Sequence, residues 1–286
     1  MSTVVAANGR DLRPSAASSL GIPPVNNSLG QSVSASLPGE ILSPSQVSTY
    51  LGCSTKWFYK YGVGLPDPAS GGAVRGKAVH SIVAYAMQAK IEGVDLEPAG
   101  ITDAFGDAWD AAAEGAEFTE HDDVDQLRRS GAVLAAKYLA EAGPSIEPAA
   151  VELPFTGAIA GVAVRGIIDL IDTSGRVIDL KTSSRKPSAI KPDHALQLAT
   201  YTALTPGASG EARIDTLVST REPQLVQIGH TPGAEGRKLV ERLYPLAAEG
   251  MAAGLYMPNR SSSLCSRRYC SFWRECQMEF GGVVVE

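Results

Sequence analysis

The chain of 286 residues has no long hydrophobic run. Its apolar stretches fall far short of the roughly 18–20 residues that span a bilayer, so no transmembrane helix is expected. No basic-then-apolar signal-peptide layout opens the sequence, so a cytoplasmic setting is expected. Cysteine is scarce, at four residues, and in a reduced compartment disulfides are not expected to form. Aromatic residues make up 6% of the chain, and none falls within residues 1–41. That stretch is rich in Ser, Gly, Pro and Asn. It cannot bury enough apolar surface to offset the entropy of ordering, and reads as a disordered tail. No internal repeat is present. Hydrophobic residues nonetheless reach 44% against 20% charged, which supplies a sizeable core and excludes disorder of the whole chain.

Positive charge is missing from one long segment. Between Lys90 and Arg128 there is no Lys or Arg but there are twelve acids, among them Asp103, Asp107, Asp110 and Glu114. A net charge of −6 with pI near 5.3 argues against nucleic acid as a partner only if the acids are evenly spread. Without this segment, 19 acids face all 25 bases, a balance of +6. The average hides a basic body and one acidic insertion.

Ser43-Pro44 predicts a helix start, a hydroxyl cap followed by a proline preset for the first turn. The helix is expected to carry Val47, Tyr50, Leu51, Trp57, Phe58 and Tyr61 to about Gly62. Further helices are expected near 74–91, 101–114, 122–142, 193–204 and 236–254, and strands over 150–156, 162–171, 176–182, 212–219 and 224–229. This order predicts an α/β or α+β single domain with helical insertions.

The most informative stretch runs from Gly166 to Thr182. Thr173-Ser174-Gly175 predicts a three-residue hairpin turn with glycine at a positive φ. A hairpin symmetric about Ser174 sets Asp172 against Arg176 and Asp169 against Asp179. Opposed Cβ atoms lie roughly 4.5–5.5 Å apart and like charges there repel. Ile167, Ile168, Leu170, Val177, Ile178 and Leu180 surround the two acids with apolar side chains, where desolvation adds to the penalty. A divalent cation held by Asp169 and Asp179 relieves both effects, and carboxylate oxygens suit Mg²⁺ or Mn²⁺. Lys181 returns to the same face, placed to orient or deprotonate a water and to stabilise charge developing on a phosphate. The bland alternative is a surface hairpin whose Asp and Lys residues are solvated.

At these residues the sequence resembles the PD-(D/E)XK nuclease superfamily, in particular its RecB-type exonuclease branch, which includes the iron–sulfur nucleases of CRISPR adaptation and phage relatives. The matching pieces follow the family's order: Ser43-Pro-Ser-Gln-Val-Ser-Thr-Tyr50-Leu-Gly-Cys53 with Trp57-Phe-Tyr-Lys-Tyr61, Gly76-Lys-Ala-Val-His80, Asp169, Asp179-Leu-Lys181, Gln197-Leu-Ala-Thr-Tyr201 and the closing cysteines. The resemblance covers about residues 42–280. It implies a restriction-endonuclease-like α/β core with a mixed central sheet flanked by helices, a helical insertion at about 91–145, and a clasp formed by Cys53 with residues 265–276. Residues 281–286 would be a tail. It also implies that His80 joins Asp169 and Asp179 at the metal, and that Gln197 and Tyr201, sharing a helix face at i, i+4, position Lys181 and the DNA backbone. Glu152, on the preceding strand, is placed to approach the site.

Three of the four cysteines, Cys265, Cys270 and Cys276, crowd within twelve residues, a spacing that points to a metal or cluster rather than to scattered core thiols. With Cys53 as fourth thiolate, the set suits [4Fe–4S] or Zn²⁺, and the resemblance favours [4Fe–4S]. The family usually has two residues between the second and third cysteines where this chain has four, and Pro after the first where this chain has Ser54. Arg260, Arg267, Arg268 and Arg274 interleave with Tyr269, Phe272 and Trp273, as in single-stranded DNA binding by phosphate neutralisation and base stacking. Alternatively the aromatics shield the cluster and the arginines are solvated. Arg185, Lys186 and Lys191 form a second candidate backbone contact.

Together these features predict a metal-dependent DNA exonuclease that hydrolyses phosphodiester bonds by a metal-activated water, on single strands or DNA ends, in a bacterial or phage-infected cell. Recombination, replication or CRISPR-adaptation proteins would be its partners. Trimming of DNA before CRISPR integration and a non-catalytic, cluster-containing DNA-binding protein are the alternatives. The acidic insertion is expected to face away from the DNA path or to repel DNA from one side.

Overall fold

A computed structural model of the protein describes residues 41–96, 98–120 and 122–285. The expected N-terminal tail lies outside these residues except for Ile41, which opens a short strand, β1 (Ile41–Leu42). Helix α1 (Pro44–Gly52) starts as its cap predicts, with the Ser43 hydroxyl accepting from the Gln46 N–H at 3.2 Å. It does not run on to Gly62. Cys53 is extended, with φ −163°, and separates α1 from α2 (Ser54–Trp57) and a π-type turn over Phe58–Val63. The break carries the Cys53 side chain out of helical register.

Helix α3 (Gly71–Glu92), capped by Ser70, ends at Gly93 with φ 70°. Helices α4 (Pro98–Ala113) and α5 (Val124–Glu141) follow, α5 capped by Asp123. Strands β2 (Pro148–Ile159), β3 (Val162–Asp172) and β4 (Val177–Ser183) form a meander. Helix α6 (Pro192–Leu204), strands β5 (Ala212–Val218) and β6 (Gln224–His230), helix α7 (Gly233–Ala252) and a short α8 (Trp273–Phe280) complete the chain. Sequence patterning missed α8.

The six strands make one mixed sheet in the order β1-β3-β4-β5-β6, with β2 pairing antiparallel along β3. β4 and β5 are parallel, joined by α6 as crossover. The hairpin register is the expected one. Leu170 pairs with Ile178 and Ile171 with Val177, the Asp172 N–H donates to the Arg176 carbonyl at 3.1 Å, and Gly175 has φ 78°. β1 takes the start of β3 at Ala163 and Val164, β4 takes its end, and between them the edge of β3 is open.

Each face of the sheet carries a core. α1, α6 and α7 cover one face through Val47, Leu198 and Tyr244, packed on Val164, Ile168, Val177 and Ile214. α3, α4 and α5 cover the other through Val79, Phe105, Trp109 and Tyr138, packed on Leu170, Ile178, Leu180 and Leu217. This is the predicted α/β architecture, a mixed sheet between helical layers. Asp215, fully buried on β5, accepts a bidentate pair from Arg213 at 2.7 and 2.9 Å, and hydrogen bonds from Tyr138 at 2.9 Å and Gln227 at 3.2 Å. That network ties α5 to the sheet.

Candidate active site

The site forms where β3 and β4 part. α3 comes close to β4 at Gly76, where an added Cβ would stand 3.1 Å from Thr182 Oγ1. One turn further along, His80 Nδ1 lies 3.5 Å from Asp169 Oδ2. The glycine of Gly-x-x-x-His thus lets the helix approach the strand that the histidine must reach. Asp169 Oδ2 also accepts the Leu180 N–H at 2.8 Å, so a side chain takes the place of the next ladder bond. The ladder ends at Leu170–Ile178, so the expected Asp169–Asp179 pair stands just beyond it, where the strands separate. Asp179 is 1% exposed and pairs with Lys181, whose Nζ lies 2.7 Å from Oδ2.

Glu152 enters the site by an unusual backbone. It lies opposite Asp169 in the β2–β3 register, between the Val151–Leu170 and Leu153–Ile168 pairs, with φ 47°. A left-handed conformation of this kind costs a non-glycine residue about 1–2 kcal/mol and clusters at functional sites. The donor atoms of His80, Glu152 and Asp169 all fall within 4.8 Å of one another. Sequence reasoning expected His80, Asp169 and Asp179 as the metal set. In the structure Glu152 completes the close trio, while Asp179 engages Lys181. No local sequence signal announces a positive φ at a glutamate.

The electrostatics match a site that wants a cation. Burial pushes the Asp179 carboxyl up to about 6 against the pull of Lys181. Burial and the Asp169 charge also raise Glu152. Burial works against ionised Asp169, but His80, Lys181 and the Leu180 N–H outweigh it and hold this carboxyl below the usual range. Burial likewise opposes a charged His80, yet Asp169 raises its pKa. On α6, Gln197 Nε2 donates to Tyr201 Oη at 2.6 Å, and Tyr201 packs edge-on against Phe155 at 5.5 Å. Gln197 and Tyr201 therefore engage each other, while Lys181 engages Asp179. His194, one turn before Gln197 on α6, was not anticipated. Its burial and the charge of Lys181 hold its pKa low.

A cleft of about 800 Å³ opens over this constellation. Lys77, His80, Glu152, Asp169 and Lys181 line one side; Ala108, Ala111 and Ala112 of α4, with Glu114 just past its end, line the other. The acidic insertion therefore does not face away from the site: α4 is a wall of it.

All four cysteines line a single cavity of about 330 Å³, with Tyr59, Phe272, Trp273 and Val284. Burial raises the thiol pKa of Cys270, and raises Cys276 to about 11. Phe272 is buried against Tyr59 and Cys276, and Trp273 carries Arg267 and Arg274 at 4.9 and 5.1 Å from its ring centre. These two rings cover the cysteine site and are not free stacking platforms; Tyr269, 55% exposed, carries the Arg268 guanidinium over its ring at 5.4 Å. The last residues are not a loose tail, since Val284 is buried and Val285 bridges Ser266. Arg185, Lys186, Lys191 and Arg268 are exposed.

An Asp, an Asp-x-Lys and a helix-borne histidine on a split mixed sheet define a class of phosphodiester-cleaving enzyme. A family model described as the PD-(D/E)XK nuclease superfamily matches residues 41–277, and the chain belongs to that superfamily. A crystal structure of a candidate exonuclease from Eubacterium rectale is similar at TM-score 0.55 and 15% identity, covering 86% of this chain and 90% of that one. The likeness is one of fold. The structure of SSO0001 aligns at TM-score 0.36 and 17% identity over 82% of this chain and 93% of its own, too weakly to carry an argument. No curated protein sequence matches.

Proposed function

We propose that this nuclease is a divalent-metal-dependent DNA exonuclease acting on strand ends. The observation that carries the reading is the convergence of His80, Glu152 and Asp169 within 4.8 Å, beside a buried Asp179 whose ion-pair partner is Lys181 at 2.7 Å. Carboxylates gathered in this way call for a counter-cation, and oxygen-rich donors with one imidazole suit Mg²⁺ or Mn²⁺. When bound, such an ion lowers the pKa of a coordinated water and offsets charge on the phosphate. Asp169, Glu152 and His80, the last as neutral imidazole, would hold such an ion, with Asp179 adding its charge beside them. Lys181, held by Asp179, presents its ammonium to the developing phosphorane charge. Gln197 and Tyr201 keep α6 set against β4, and Arg185, Lys186, Lys191 and Arg268 supply exposed cations for the DNA backbone.

The direct test compares wild type with Asp169→Ala and Asp179→Ala on end-labelled linear and on circular DNA, with Mg²⁺ or Mn²⁺. Loss of at least 100-fold in both variants with the circle left intact is the expected result. Undiminished digestion by Asp179→Ala would rule out the mechanism, and activity on the circle would rule out an exonuclease.

The four-thiol cavity supports a [4Fe–4S] cluster, with Zn²⁺ as the alternative occupant. Anaerobically purified protein should be brown, with iron and acid-labile sulfide near four each per chain. Stoichiometric zinc without iron would replace the cluster.

A further inference from the structure

Helix α4 supplies none of the trio and neither member of the Asp179–Lys181 pair, yet its Ala108, Ala111 and Ala112 line the catalytic cleft. Its cleft-facing surface is small and apolar at Ala108, Ala111 and Ala112, and closes on Glu114. Asp107 is exposed on the same helix face, one turn before Ala111. Opposite stand Lys77, Lys181 and the carboxylate–imidazole trio. One side of the cleft thus carries cations and metal-type donors, and the other a small apolar surface edged by carboxylates.

The wall is also fixed. On its far side α4 buries Phe105 and Trp109 in the core that holds Leu134 and Tyr138. α5 meets it at Gly131, where an added Cβ would stand 2.7 Å from the Phe105 ring. Asp110 is braced by Arg128 at 3.6 Å.

We propose that α4 selects an unpaired DNA strand. The strand lays its phosphates along the Lys77–Lys181 side and its bases over the alanine surface, while Asp107 and Glu114 repel the second backbone that a duplex would bring. A duplex carries one charge per about 1.7 Å of axis, twice the density of either strand alone, and within a cleft these charges lie inside the screening length of about 10 Å at 0.1 M salt. A single strand can turn its charged side away from Glu114; a duplex cannot. This deepens the nuclease reading and rests on it for the position of the phosphates.

The test is binding, read separately from cleavage. Fluorescence anisotropy with the wild-type protein in EDTA, which withholds the metal that cleavage needs, compares a single-stranded oligonucleotide, its blunt duplex, and an abasic strand of equal length. Single-stranded DNA should bind at least tenfold tighter than duplex. Adding Asp107→Asn with Glu114→Gln should narrow that gap to about threefold or less by strengthening duplex binding. Ala111→Phe should weaken the normal strand about tenfold and the abasic strand far less. Equal affinity for the two forms, no binding of either, an unchanged gap in the charge variant, or equal weakening of normal and abasic strands by Ala111→Phe would each overturn the wall. The expected binding pattern from a wild type that cleaves neither DNA with Mg²⁺ or Mn²⁺ would sink the nuclease reading alone and leave strand selection standing.

Discussion

Asp179 concentrates the tension of the site in one side chain. It is buried to 1% exposure, Lys181 at 2.7 Å is its ion-pair partner, and burial pushes its carboxyl up to about 6 from about 3.9. The sign follows from linkage: an acid whose pKa is higher folded than unfolded binds more protons when folded. Without metal, stability is therefore lost as pH rises from about 4 through 6. Asp179→Asn removes that penalty along with the activity. In EDTA, urea titration should find the variant more stable than wild type by about 1–3 kcal/mol at pH 7.5, with the difference shrinking toward pH 5. A variant less stable than wild type at pH 7.5 would mean that the Lys181 pair outweighs desolvation, and that Asp179 is structural before it is catalytic.

Among the elements, α3 has the tightest geometric duty, and Gly76 performs it. Replacing Gly by Ala in a helix interior gains about 0.5–1 kcal/mol, whereas the new Cβ would stand 3.1 Å from Thr182 Oγ1 and force α3 off β4 by a few tenths of an ångström. Gly76→Ala should leave stability within about 1 kcal/mol of wild type and cut activity about tenfold through a misplaced His80. Adding Thr182→Ala, which removes the obstructing hydroxyl, should restore most of the loss relative to Thr182→Ala alone. Failure of that rescue would show that Gly76 serves the cleft rather than the packing. α5 makes a second test. Arg213→Met leaves the Asp215 charge buried without its bidentate partner and should cost about 3–5 kcal/mol, whereas Tyr138→Phe removes one neutral donor and should cost about 1. Similar losses from both would show that packing, not charge, holds the network. At this scale the sequence was legible wherever its signal is local. Turn chemistry at Thr173-Ser174-Gly175 with strand alternation fixed the Asp169–Asp179 register, and the Ser43 cap placed α1. What stayed hidden depends on distant contacts: the left-handed turn at Glu152, set by β3; the break at Cys53, set by the segment it packs against; and the position of α4, set by Phe105 and Trp109 in a shared core.

Across the whole molecule, the N-terminal helices and the C-terminal segment are joined before any cofactor is considered. Tyr50 Oη donates to the Leu255 carbonyl at 2.8 Å, the Met257 N–H donates to Ser54 Oγ at 2.7 Å, and Asn259 Nδ2 donates to the Gly52 carbonyl at 2.8 Å. These bonds bring Cys53 to the cavity that Cys265, Cys270 and Cys276 enter from more than two hundred residues away. The catalytic trio and both sheet cores involve none of these thiols. A cofactor held there acts as a cross-link closing a very long loop, a stabilisation of about 4–5 kcal/mol in the chain-entropy account. Cys270→Ser should therefore lose the cofactor and lower the melting temperature by roughly 10–15 °C, at about 2–4 °C per kcal/mol for a chain of this size, with helix and strand content unchanged by circular dichroism at 20 °C. Residual nuclease activity per folded molecule should stay within a few fold of wild type, because His80, Glu152 and Asp169 are placed by α3, β2 and β3 alone. If activity vanishes while the variant remains folded, the cysteine site reaches the chemistry directly, and the path to examine is the first turn of α6, where Asp193 lines the thiol cavity one turn ahead of Gln197.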